Sequence, residues 1–196
     1  MHISEGILTA PVLGAGAVLA LAGTAVGLRR MDYERVARAG VMAAAFFIAS
    51  LVHVPIGPTN IHLILNGLVG LLLGWAAFPA ILTALLLQAV MFQFGGLTTL
   101  GVNTVIMALP AVLVSLIFAP LIRRANAVSL AAAFSAGLLS VLLAGLLMAL
   151  ALIFVSEGFW KLAPVIIAGQ APLMVIEGII TATVIAFIRK VRPEML

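Results

Sequence analysis

Residues 61–94, IHLILNGLVGLLLGWAAFPAILTALLLQAVMFQF, decide how this chain is organised. The stretch is apolar almost from end to end, yet a helix needs only about 20 such residues to cross the hydrocarbon core of a bilayer. As a single span it is far too long, so it must break. Pro79 offers the break, because proline removes a backbone donor and crowds the turn before it. The stretch therefore reads as two spans, 61–78 and 79–94.

The remaining chain fits that reading. It is 65% hydrophobic and 8% charged, with a mean hydropathy of +1.34, which excludes a water-soluble domain. Further apolar blocks at 7–28, 36–54, 103–122, 127–155 and 171–189 bring the spans to seven. Runs such as LLAGLLMALALIFV lack the alternation of a barrel strand. The expected fold class is an all-α polytopic membrane protein of seven transmembrane helices, with residues 1–196 forming one domain in the lipid bilayer. Cysteine is absent, so disulfides, thiolate metal sites and redox motifs are excluded. The formal charge of +4 gives no reason to expect nucleic acid, since the basic residues sit at helix ends.

Those basic residues orient the helices, because Lys and Arg gather in cytoplasmic loops. Arg29, Arg30, Arg35 and Arg38 lie between spans one and two, Arg123 and Arg124 between five and six, and Arg189, Lys190 and Arg192 after seven. With seven spans all three clusters share one side, and only Lys161 is opposite. A six-span reading would split them. The expectation is an amino terminus outside and a carboxyl terminus in the cytoplasm. No Lys or Arg precedes the first apolar run and no cleavage pattern follows it, so Met1 is read as the mature terminus.

This topology brings all three histidines to the outer surface: His2 at the terminus, His53 at the end of span two and His62 at the start of span three. A free amine followed by His at position two has a particular chemistry. The amine of Met1, the amide nitrogen of His2 and its imidazole Nδ1 can close two fused chelate rings around one metal, three nitrogens in a plane. An imidazole from elsewhere can fill the fourth corner. His62 is favoured for it, following the Gly/Pro-punctuated GPTN, with His53 as the alternative. Square-planar nitrogen sets suit Ni²⁺ and Cu²⁺, and imidazole also accepts Co²⁺ and Zn²⁺.

The opening MHISEG, the stretches GPTNIHLILNGLVGLLLG and LLLQAVMFQFGGLTTLGVNTVIMALPA, and the ending APLMVIEGIITATVIAFIRKVRPEML resemble the substrate-binding membrane component of nickel and cobalt energy-coupling-factor transporters, which are ABC-type. The similarity covers nearly the whole chain. It implies a seven-helix capture subunit in the cytoplasmic membrane of a prokaryote. It also implies Ni²⁺ or Co²⁺ as bound substrate, held by Met1, His2 and a second histidine that maps to His62, with no resident cofactor. The partners it implies are a coupling membrane subunit, two cytoplasmic ATPases and often a small accessory membrane subunit. Some members carry a Ser- and Cys-containing loop before the second histidine; here it reads IGPTNIH.

Around the site, Gly95, Gly96, Thr98 and Asn103 belong to a loop expected to cover the metal or to support its ligands, glycines allowing close approach and Thr and Asn offering hydrogen bonds. Asn60 flanks His62 and is a further candidate. Glu177, a carboxylate inside span seven, is expected to face the interior with a partner, either orienting a ligand histidine or anchoring helices. Gln88 and Gln93 read as helix-packing residues. Ala39, Ala43, Ala45 and Ala49 make a small-residue row on span two, expected to meet the coupling subunit. The chain has no Gly-x-x-x-x-Gly-Lys-Ser/Thr motif for ATP and no His-Glu-x-x-His for a metalloprotease, which favours a non-catalytic binding subunit. A self-sufficient secondary carrier or channel is the alternative, although the two halves show no repeat of the kind such carriers are built from.

Overall fold

The computed structural model describes residues 2–56, 59–124, 127–161 and 163–196, with the side chains of 53–61 and 157 outside that description. Five helical segments are long and apolar enough to cross a membrane: Ala10–Arg29, Asn66–Phe92, Leu100–Ile122, Ala127–Ile153 and Ala171–Val191. The chain is mainly helical and multi-span, as composition requires. In chain order the elements are α1 (Ala10–Arg29), α2 (Tyr33–Ala49), a hairpin of β1 (His53–Ile56) and β2 (Thr59–His62), α3 (Asn66–Leu73), α4 (Ala77–Phe92), α5 (Leu100–Ile122), α6 (Ala127–Ile153), α7 (Ala163–Gly169) and α8 (Ala171–Val191). Short 3₁₀ turns at Gly74–Ala76, Glu157–Lys161 and Pro193–Met195 complete the list.

The decisive stretch does break, five residues before Pro79. Gly74 has φ +56°, a conformation that costs most side chains dearly, and the 3₁₀ turn Gly74–Ala76 joins α3 to α4. Here the chain reverses. Leu65, just before α3, and Phe94, just after α4, both lie at the end of the bundle that holds His2. The middle of the stretch lies at the other end, where the Arg30 guanidinium stands 5.4 Å over the Trp75 ring. Pro79 sits in the first turn of α4, where its missing N–H costs no helical bond. The expected boundary at Pro79 is thus corrected: glycine supplies the reversal and proline the start of the returning helix.

Eight residues of helix rise only about 12 Å, so α3 cannot cross a bilayer alone. β2 and residues 63–65, none of them helical, lead into it. The all-α expectation therefore needs a second correction, since β1 and β2 form an antiparallel pair with His53 opposite His62. Non-helical backbone at such depth is tolerated where protein surrounds it and pairs its polar groups. Glu177 does that pairing, as described below.

α5 is the central helix, with α1, α3, α4 and α6 packed around it, and α6 lies along α8. Small residues set the approach. Gly16, Ala20, Gly23 and Gly27 form the buried face of α1, while Val18, Leu21 and Leu28 are exposed. A Cβ on Gly27 would stand 2.6 Å from the Trp75 carbonyl oxygen, so α1 reaches the reversal only through glycine. On α2, Ala39, Ala43 and Ala49 are buried and Ala45 is half-buried. The alanine row expected to face a partner subunit instead packs inside this chain, where α2 meets α3 and α4. Val36, Gly40, Val41, Ala44 and Ile48 face outward.

At the end opposite His2, Arg35, Arg38 and Arg123 line one cavity with Glu194. Arg189 donates to the carbonyl of Ile122 and to the Ser129 hydroxyl, tying α8 to α5 and α6. The basic clusters thus share one end of the bundle and the histidines the other.

Candidate metal centre

Main-chain pairing holds the terminal segment in place from residue 3 onward. The Ile3 amide donates to Asn103 Oδ1 at 2.9 Å, and Asn103 Nδ2 donates back to the Ile3 carbonyl at 3.0 Å. Asn103, near the start of α5 and buried, therefore pairs with residue 3 as a neighbouring strand would. Its amide also reaches Thr99 Oγ1 at 3.2 Å, which sets the orientation of the side chain. The Ile3 side chain is itself buried. Two residues on, the Glu5 amide donates to the Gly95 carbonyl at 3.2 Å, and the Glu5 carboxylate accepts from the Thr98 amide (3.0 Å) and hydroxyl (3.1 Å). The Thr98 amide and hydroxyl hold the Glu5 carboxyl below its ordinary range. Gly95 and Gly96 both have positive φ, and a Cβ on Gly95 would meet Asn103 Nδ2 at 2.8 Å. Loop 93–99 can close over the terminus because these two positions carry no side chain.

So anchored, His2 turns into the bundle. Its Nε2 lies 2.8 Å from Gln88 Oε1. Gln88 is fully buried on α4, and its Nε2 donates to Ser50 Oγ at 2.8 Å, while the Ser50 hydroxyl donates to the Phe47 carbonyl at 2.6 Å. This chain of bonds has one consistent direction. The Phe47 carbonyl can only accept, so the Ser50 proton points to it and the Ser50 oxygen accepts from the Gln88 amide. Gln88 then presents its oxygen to His2, whose Nε2 must carry the proton. The lone pair of the ring is on Nδ1, the nitrogen a terminal chelate needs. Burial, then the positive terminal amine and then His62 push the His2 imidazole down to about 3, against a smaller upward pull from Gln88, so the ring is neutral at ordinary pH.

His62, at the end of β2, brings its ring centroid to 5.0 Å from that of His2, tilted by 35°. Its Nδ1 lies 2.9 Å from the Leu63 carbonyl, which only accepts, so Nδ1 carries a proton and, in the neutral ring, the lone pair is on Nε2. The next two residues are held from α8. The buried Glu177 carboxylate accepts from the Ile64 amide at 2.5 Å and from the Leu65 amide at 3.0 Å. Leu65 has φ +55°, strained for a leucine, and Glu177 compensates by pairing its amide. A carboxylate at the amino end of α3 also suits the helix dipole. Phe94 stands 6.0 Å from His2, and Phe92 and Phe47 extend that aromatic wall.

Of the residues singled out from sequence, His2, His62, Gly95, Gly96, Thr98 and Asn103 gather at this end, and Glu177 adjoins it through residues 64 and 65. Met1 and the side chains of His53 and Asn60 lie outside the described residues. Gln88 and Ser50 were missed. A lone buried amide in an apolar helix reads as packing until its partners are known, and only a reach to His2 distinguishes it. Among the described residues no three His, Cys, Asp or Glu side chains come together.

The family described as the cobalt uptake substrate-specific transmembrane region matches residues 2–195. A Haemophilus influenzae protein ascribed to metal transport is 44% identical over 199 residues, covering 100% of this chain and 97% of its own. A cobalt transport protein of Sorangium cellulosum is 34% identical over 212 residues, with coverages of 100% and 94%. A fused nickel transport protein ascribed to Archaeoglobus fulgidus is 33% identical, and this chain covers 68% of it. In shape, the crystal structure of a truncated transition metal transporter superposes with a TM-score of 0.79 at 23% identity, covering 97% of this chain and 99% of the other.

Proposed function

Because the chain belongs to the cobalt uptake substrate-specific transmembrane region family, a group of cobalt and nickel uptake components, we propose that it captures Ni²⁺ or Co²⁺ as a four-nitrogen complex at the end of the bundle where His2 and His62 meet. The ligands are the Met1 amine, the His2 amide nitrogen and Nδ1, and His62 Nε2. The observation that carries this reading is the pair of assigned tautomers, which puts a lone pair on Nδ1 of His2 and on Nε2 of His62. The ring spacing supports it too. With metal–nitrogen bonds of about 2 Å, two imidazoles at adjacent planar corners have centroids about 4.5 Å apart, and at opposite corners about 6 Å. The 5.0 Å separation agrees with adjacent corners, where a fourth ligand beside the His2 imidazole belongs. A neutral His2 ring binds without first losing a proton.

The same reading sets the chain in the membrane with this end outside. Seven passes follow if α3 and the extended segment before it count as one, with α2 and the four long helices α1, α5, α6 and α8 as five and the returning α4 as the seventh. The basic clusters at the opposite end then face the cytoplasm, as positively charged loops prefer. With no nucleotide-binding motif of its own, the chain delivers its metal through a coupling membrane subunit driven by two ATPases, an energy-coupling-factor arrangement in a prokaryotic cytoplasmic membrane. It carries no catalytic activity itself.

The test is metal retention by protein with Met1 as its free terminus, against a twin extended by Gly-Ser before Met1. Loss of Ni²⁺ and Co²⁺ from the twin alone supports the terminal chelate, and the better retained ion names the substrate. Equal retention by both refutes it.

A further inference from the structure

Two imidazoles 5.0 Å apart are also the beginning of a different site. Zn²⁺ has no electronic preference for a plane and is satisfied by imidazole nitrogens and water in a tetrahedron, with no deprotonated amide. Were His2 to offer Nε2 alongside His62, Zn²⁺ could bridge the two rings and ignore the terminus. What stands in the way is Gln88. Its Oε1 occupies the Nε2 side of His2 at 2.8 Å, and it is fully buried, so the amide has no water to turn towards.

The direction of that amide is set one residue further out. Were Gln88 flipped, its oxygen would face the Ser50 oxygen, whose proton is committed to Phe47, and its NH₂ would face His2. His2 would then have to accept at Nε2 and carry its proton on Nδ1, closed to the terminal chelate. Ser50, 38 residues away on the far side of the β hairpin, therefore decides which nitrogen of His2 can reach a metal.

Resting on the four-nitrogen reading above, we propose that Gln88, oriented by Ser50, is a specificity-determining residue. By holding the proton on Nε2 of His2, it leaves a metal only the Nδ1 route, which closes rings through the amide and amine. That route favours ions that gain from a planar nitrogen field and can displace the amide proton, Ni²⁺ and Co²⁺, and disfavours Zn²⁺. Gln88 touches the ligand and not the metal, so it acts as a positioning residue.

The experiment offers equimolar Ni²⁺ and Zn²⁺ to detergent-purified protein with Met1 free, and reads the retained metals by elemental analysis and the planar Ni²⁺ centre by its visible absorption. Gln88→Leu is expected to lower the Ni:Zn ratio about tenfold, the weight of roughly one directing hydrogen bond, and to weaken the planar absorption. Ser50→Ala should move both in the same direction. Gln88→Glu and Ser50→Thr, which keep the acceptor and the hydroxyl, should restore them, a rescue that a purely structural role for the pair does not give. A folded Gln88→Leu protein with the original ratio and absorption overturns the proposal. If that variant fails to fold, equal ratios in Ser50→Ala and Ser50→Thr overturn it instead. The Gly-Ser twin separates the two ideas. A twin that loses metal while Gln88→Leu keeps its selectivity refutes only the role of Gln88, whereas a twin that retains metal refutes the site and this proposal with it.

Discussion

Asn103→Ala tests whether the docked terminus is the binding-competent state. In the native chain Asn103 satisfies both main-chain groups of Ile3, at 2.9 and 3.0 Å, in a buried setting. Alanine leaves a buried amide and a buried carbonyl unpaired, at about 1–3 kcal/mol each, so a combined cost of about 2–6 kcal/mol is expected. Against this stands chiefly the burial of the Ile3 side chain, worth about 1.5–3 kcal/mol. At mid-range the cost exceeds that gain by about 1–2.5 kcal/mol, so most chains should release the segment. On the four-nitrogen reading metal binds the docked form alone, so its apparent affinity falls with the docked fraction. At about 1.4 kcal/mol per decade the expected rise in Kd is roughly 5- to 70-fold. The assay is Ni²⁺ titration of detergent-solubilised protein with Met1 free, alongside circular dichroism and size exclusion to show that the bundle is intact. A folded Asn103→Ala protein with a Kd within about threefold of the original would refute the reasoning.

Other outcomes follow from the same geometry. His62→Ala should cost at least about tenfold in Ni²⁺ retention, and His53→Ala less than about threefold; the reverse order in a side-by-side retention assay moves the fourth nitrogen to His53. Glu177→Leu strips the Ile64 and Leu65 amides of their acceptor, and two unpaired buried groups should lower the thermal midpoint by roughly 10 °C in a detergent melt while also weakening metal binding. For pH, the folded value of His2 lies below the free value, about 3 against 6.5. The docked terminus therefore gains from this group above pH 6.5 and loses that gain as pH falls towards 3, by up to about 1.4 kcal/mol per unit. Metal retention measured across that window should fall by at least about tenfold per unit, steeper where the amide and amine also take up protons. Gly23→Leu drives a side chain into the Phe78 ring and should loosen α1, read as faster proteolysis between residues 1 and 30.

The sequence showed where the apolar helices lie and which end of each is basic, because both are written in composition. The long helices fall within a few residues of expectation. Topology brought His2, His53 and His62 to one face, and the preference for His62 came from the GPTN loop before it and from the family resemblance; the structure sets the His2 and His62 rings 5.0 Å apart. The reversal at Gly74 was legible in kind but not in place. Proline is the louder signal, yet at the first turn of α4 it is harmless, and the smaller signal of a lone glycine before Trp75 marks the turn. The hairpin of β1 and β2 was hidden because HVPIGPTNIH is apolar enough to pass for helix ends. The alanine row on α2 misled for a general reason: a small residue permits close approach without saying to what. Gln88 was read only as packing and Ser50 not at all, because their meaning lies in bonds that link His2, Gln88 and Ser50 across 86 and 38 residues of chain.

That long reach has a consequence for biosynthesis. Ile64, two residues past His62, is held by a carboxylate 113 residues downstream, and Ile3 in the terminal segment is docked by an asparagine 100 residues downstream. A growing chain that has inserted α1 to α4 already displays both histidines, but neither is yet aimed. Only when α8 enters the bundle does Glu177 draw residues 64 and 65 into line. On the four-nitrogen reading, a truncated or stalled chain lacks the support beneath His62, and the site is complete only with the arrival of the last helix.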